Sequence, residues 1–245
     1  SMGFCFFNNV AVAARHALDM RGLQRVAVID FDVHHGNGTE DIVAGDERIL
    51  MASFFQHPLY PYSGAVPKGT NMVNVPIPPY GRGAQVREAI EAMWLPRLDD
   101  FKPQMLFVSA GFDAHREDEL GQLGLVEDDY AWITRQLVAV ADKHAQGRIV
   151  SCLEGGYNLN ALARSVAAHL RVLGGVGWAM AGANSAAVVP VTDLGAWFDS
   201  LVRPGALIEL GALALCLGLA WAFVHALRGN MRRPPSVWFG ERIVD

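Results

Sequence analysis

The sequence predicts an α/β fold, a parallel sheet with helices on both faces, and three observations lead there. Apolar runs of strand length alternate with amphipathic stretches of helical period from Asn8 to about Gly174. Three of the runs end in clusters of Asp, His, Glu and Gly, the residue types that gather at the carboxyl edge of open parallel sheets. The composition, 51% hydrophobic and 18% charged over 245 residues with a mean hydropathy of +0.20, supports a sizeable core and excludes disorder for most of the chain.

Taken in order, Val10, Val12, Ala13, Ala14, Ala17 and Leu18 form the apolar stripe of a first helix, and Gly22 ends it. The strand Arg25–Asp32 (RVAVIDFD) follows. Further strands fit at Ile49–Phe54, Met72–Ile77, Met105–Ala110 and Arg148–Leu153, and helices at Ala84–Leu98, Glu127–His144 and Leu159–Leu173. Only one helix precedes the first strand, so the sheet is expected to be incomplete at its amino end.

This α/β part occupies residues 1–174. A shift to Gly, Ala, Ser and Val marks 175–204 as a linker. Within 205–233, Leu210 to Leu227 carries no Asp, Glu, Lys or Arg and, with its flanks, suits either a membrane span or a buried core helix. Residues 234–245 form a tail. Arg228, Arg232 and Arg233 follow the apolar stretch while only Arg203 closely precedes it, which places the carboxyl end in the cytoplasm. Ser1 to Asn9 reads as no secretory signal, which conflicts with that topology and leaves the orientation open. A net charge of −5 gives no footprint for direct nucleic-acid binding. Cys5, Cys152 and Cys216 form no CxxC pair, so a reducing, cytoplasmic setting is the default, with membrane anchoring through the carboxyl-terminal stretch as the variant.

The chemistry concentrates at the strand ends. In Asp30-Phe31-Asp32-Val33-His34-His35-Gly36-Asn37-Gly38-Thr39, an extended backbone projects Asp30, Asp32 and His34 to one side. Asp113 in SAGFDAH and Tyr157 in EGGYN lie at the same edge if the strands are parallel. One His and two carboxylates leave coordination positions open, as a catalytic divalent site does. Zinc suits best, and ferrous iron or manganese remain compatible. His35 reads as a residue that packs or supports a ligand from behind rather than as a ligand itself. The run Arg116-Glu117-Asp118-Glu119 is either a solvated loop or an attractor for a cationic substrate.

GFCFFNN, DFDVHHGNGT, SAGFDAH and EGGYN, in that order over Gly3 to Leu173, resemble the zinc-dependent histone deacetylases. The closest similarity is to the class II type and its bacterial acetylpolyamine amidohydrolase-like relatives. The resemblance implies the arginase/deacetylase-like fold and removal of acetyl groups from lysine side chains or polyamines by metal-activated water. It implies zinc on Asp32, His34 and Asp113, and Tyr157 hydrogen-bonding the scissile carbonyl. Gly3, Phe4, Tyr60, Gly155 and Gly156 become substrate-binding residues, and Asp30, Ser53 and Phe54 an inner potassium site. The family's adjacent histidines upstream of GFCFFNN are missing from the sequence, which predicts weak turnover by the chain as given. The alternative is a non-catalytic deacetylase remnant fused to a membrane segment, since Pro204–Arg233 resembles the membrane region of small-conductance mechanosensitive channels.

Overall fold

The computed structural model describes residues 5–175. The linker, the apolar stretch at 205–233 and the tail lie outside them, as do Gly3 and Phe4. Among the described residues no helix is long and apolar enough to cross a membrane.

Helix α1 (Asn9–Arg21) begins where the Asn8 side chain accepts the Ala11 N–H at 2.8 Å, and ends at Gly22, whose φ of 73° is the left-handed conformation glycine adopts without strain. Strand β1 (Val26–Asp30) leads into a short α2 (Asn37–Val43), then β2 (Ile49–Gln56) and β3 (Met72–Ile77). The single helix expected over 84–98 is three segments, α3 (Gly83–Ala89), a π-helical turn Ile90–Trp94 and α4 (Leu95–Phe101). Pro96 in the first turn of α4 has no N–H to give to the preceding turn, and the wider turn accommodates that loss. β4 (Leu106–Ala110), α5 (Glu127–His144), β5 (Ile149–Leu153) and α6 (Leu159–Leu173) complete the described fold.

The five strands pair in parallel in the order β3-β2-β1-β4-β5. Helix α1 packs Val10, Ala14 and Leu18 with Val26, Val28, Met51 and Phe107 on one face. The other face joins Ile29, Leu50 and Val108 to Trp94, Leu98, Ile133 and Leu137 from the helices of the second layer. Burying a Val, Leu or Ile side chain this fully is worth about 1.5–3 kcal/mol. Every residue of β1, β2 and β4 is buried, whereas the edge strand β5 exposes Val150 and Leu153. Register aligns Asp30 with Ser53 on one side and Ser109 on the other, and Ser109 with Cys152. The loops after β1, β4 and β5 therefore leave the sheet at one edge.

Candidate metal centre

β1 ends at Asp30, two residues short of the expected strand end, and this changes how the ligands are presented. Asp32 and His34 sit in a turn in which the Asp32 carboxylate accepts the His34 N–H at 2.8 Å. The extended-strand reading that sent Asp30, Asp32 and His34 to one side is thus corrected: Asp30 stays in the sheet, and the turn swings the other two toward β4.

Asp113, on the loop after β4, completes the group. His34 Nδ1 lies 3.0 Å from Asp32 Oδ1 and 3.1 Å from Asp113 Oδ2, and the three ligand atoms fall within 4.8 Å of one another. Bonds of about 2.0 Å in a tetrahedral zinc site would set such atoms roughly 3.3 Å apart. The donor set fits a divalent ion. Asp113 is held by the Val33 N–H at 2.9 Å, and Asp32 by the Gly155 N–H at 2.9 Å. A Cβ on Gly155 would meet Asp113 Oδ2 at 2.0 Å and Asp32 Oδ2 at 2.6 Å, so only glycine lets the β5 loop approach both carboxylates.

The electrostatics are those of anions crowded in a low-dielectric pocket. Burial and then the charge of Asp32 push Asp113 up to about 7, against the hydrogen bond from His34. Burial opposes a charged ring at His34, but hydrogen bonds and charge from Asp113 and Asp32 outweigh it and raise it to about 10. A divalent cation would neutralise that crowded charge.

Tyr157 stands half-exposed on the loop after β5. Burial, then the charges of Asp113 and Asp32, raise its phenol to about 12, so it stays a hydrogen-bond donor at neutral pH. The loop is fixed by a residue of the run Arg116–Glu119. Asp118 Oδ2 accepts the N–H of Tyr157 at 2.7 Å and of Asn158 at 3.0 Å, and Asn158 caps α6 through the Ala161 N–H. The only sequence signal was its place five residues after Asp113 in the same strand-end loop.

The remaining expected residues fall as follows. Gly156 adopts a φ of 143° against Leu162 and Phe112. Tyr60 lies exposed in the loop after β2, at the same sheet edge. Asp30, Ser53 and Phe54 are buried side by side on β1 and β2; burial and the nearby Asp32 raise Asp30 well above the usual carboxylate range, and the Ser53 hydroxyl has no hydrogen-bond partner among the described residues. His35 is no ligand: its Nε2 meets Glu40 at 2.9 Å in the core. Within the acidic run, Glu117 is bound through both oxygens by Arg164 and Asp118 by backbone N–H groups, while Glu119 is exposed.

Residues 1–173 match the histone deacetylase domain. An uncharacterized Synechocystis protein, slr0245, is 45% identical over 175 residues, covering 70% of this chain and 56% of that protein. The histone deacetylase-like amidohydrolase of Pseudomonas aeruginosa is 41% identical over 165 residues, covering 64% and 43%. The crystal structure of the HDA15 HD domain superposes with a TM-score of 0.65 at 34% identity, covering 71% of this chain and 51% of the other. The chain thus spans about half the length of these three relatives. A parallel sheet whose strand ends gather Asp32, His34 and Asp113, in a chain whose first 173 residues match that domain, makes this protein a member of the histone deacetylase family.

Proposed function

We propose that the chain carries the metal- and carbonyl-binding half of a deacetylase that hydrolyses the amide of acetylated amines, on lysine side chains or polyamines. The observation that carries this reading is the triangle of Asp32, His34 and Asp113 with the Tyr157 loop bound to it through the Gly155 N–H. The similarity to an enzyme called an amidohydrolase supports the reaction class. Zinc is the ion the donor set suits best, and it would supply Lewis acidity toward the carbonyl and an acidified water.

In this reading the chain's own groups do the rest. Asp32, His34 and Asp113 hold the ion. The Tyr157 phenol donates to the acetyl oxygen, where charge develops as the carbonyl is attacked. Gly155 and Gly156 let that loop lie flat against the pocket, and Tyr60 forms part of the wall that receives the amine's stem; Gly3 and Phe4, expected to join it, lie outside the described residues. Asp30, Ser53 and Phe54 hold potassium beneath the centre; the buried Asp30 and a Ser53 hydroxyl with no hydrogen-bond partner among the described residues support a cation there.

The test is a fluorogenic acetyl-lysine substrate and an acetylated diamine offered to the chain with and without added zinc. Zinc-dependent binding lost in Asp113→Ala, together with turnover lowered in Tyr157→Phe, supports the reading. Binding of both compounds that is indifferent to zinc and to Asp113 overturns it.

A further inference from the structure

Next to the metal centre, the loops after β3 and β4 enclose a half-open cavity of about 410 Å³ whose walls include Tyr80, Arg82, Arg116, Gln122, Leu123 and Val126. Two arginines line it and, among the described residues, no Asp or Glu does, in a chain that carries five more acids than bases. Both arginines are built onto one segment. The Arg116 N–H donates to Leu125 O at 2.9 Å, Arg82 forms a parallel bridge with Gly124, and the Gly124 N–H donates to Gly81 O at 2.8 Å.

Carboxylates that could neutralise the pair are engaged elsewhere. Arg164 takes Glu117 and Glu127, Asp118 accepts the Tyr157 and Asn158 N–H groups, and Arg87 takes Asp129. Glu119 and Asp128 are exposed and do not line the cavity. Neither Arg82 nor Arg116 has an ion-pair partner among the described residues. The cavity is coupled to the metal centre by short links. Arg116 follows Asp113 by three residues, roughly 10 Å of chain at most. A Cβ on Gly121 would lie 2.7 Å from Asp113 O, and the Gln122 N–H donates to Gln56, whose own N–H reaches Val33 O.

We propose that this cavity is an anion-recognition subsite in which Arg82 and Arg116 together hold one carboxylate or phosphate group. Two forked, planar donors facing one space suit such an oxyanion better than a single charge would. The anion is either an acidic residue flanking an acetylated lysine, which rests on the function proposed above, or a free small anion. Because both arginines are exposed, binding is weak and falls with salt.

The experiment titrates inorganic phosphate into the full chain at constant ionic strength, by calorimetry, alongside the double variant Arg82→Gln/Arg116→Gln. Saturable binding weakened at least tenfold in the variant is expected. Zinc uptake, measured in parallel, stays unchanged in the variant, so a failure of the metal reading is seen separately. Two acetyl-lysine peptides differing only by a flanking Asp or Asn then identify the source. A preference of threefold or more for the Asp peptide, lost in the variant, assigns the site to substrate; phosphate binding without that preference assigns it to a free anion. If neither phosphate nor the Asp peptide binds in a way that depends on the two arginines, the proposal is overturned.

Discussion

Asp118 is where the fold can be perturbed with a readable local consequence. Its carboxylate accepts three backbone N–H groups, from Tyr157 at 2.7 Å, Asn158 at 3.0 Å and Leu120 at 3.0 Å, while only 6% of the residue is exposed. A hydrogen bond to a charged group is worth about 1.5–3 kcal/mol when buried, and these three are part-buried, so Asp118→Ala should cost about 4 kcal/mol. Asp118→Asn can turn its carbonyl oxygen to Tyr157 and Asn158 and leave its amide facing the Leu120 N–H, losing one bond and about 1–2 kcal/mol. For a folded unit of this size the alanine variant should melt roughly 10 °C lower. Urea unfolding measures the cost, and amide hydrogen exchange locates it. Exchange should accelerate at Leu120, Tyr157 and Asn158 but not at Val33, whose N–H goes to Asp113. Stability losses under about 0.5 kcal/mol in both variants, or losses without faster exchange at those three amides, would refute the reasoning.

Other perturbations test the metal centre and the core. Without a metal, both raised groups make folding less favourable as pH rises: the contribution of Asp113 is full below its ordinary 3.8 and lost through about 7, and that of His34 is full below 6.5 and lost through about 10. Zinc should reverse that trend, raising Tm more at pH 8 than at pH 6 and releasing protons on binding, as a calorimetric titration in buffers of different ionisation heat would show. Gly155→Ala should abolish zinc uptake while the far-ultraviolet circular dichroism is retained, because its Cβ would displace the Asp113 and Asp32 carboxylates. Burial holds His169, bonded to Thr134 and Ser151, down at about 4, so its contribution is present above 6.5 and lost as pH falls through about 4. That depression is worth roughly 3 kcal/mol, and His169→Gln should flatten the stability profile between those two pH values in urea melts.

Much of the site was legible because parallel strands deliver their ends to one edge whatever joins them. Once the strands before Asp32, Asp113 and Tyr157 were recognised as parallel, their meeting followed from topology. The helix Glu127–His144 and the helix Leu159–Leu173 were legible at both ends, since their apolar periods are long and turn residues bound them. The split of the stretch 84–98 was not, because Pro96 near a helix start and Pro96 inside a longer helix look alike in one dimension. Asp118 was hidden for a different reason: its partners Tyr157 and Asn158 stand 39 and 40 residues away, and within Arg116–Glu119 its charge looks like its neighbours'.

The sequence by itself determined the α/β class, the residue types at each strand end and the family to which they belong, since these rest on local period and short motifs. Only the tertiary structure decided that Asp30 stays in the sheet while Asp32 and His34 turn toward Asp113. It likewise decided that Asp118 supports the tyrosine loop and that Arg82 and Arg116 share a cavity that no described Asp or Glu lines. The physical reason is that a charged side chain's role is set by which groups remain unpaired beside it, and pairing across loops distant in the chain is fixed only when the sheet brings their ends together.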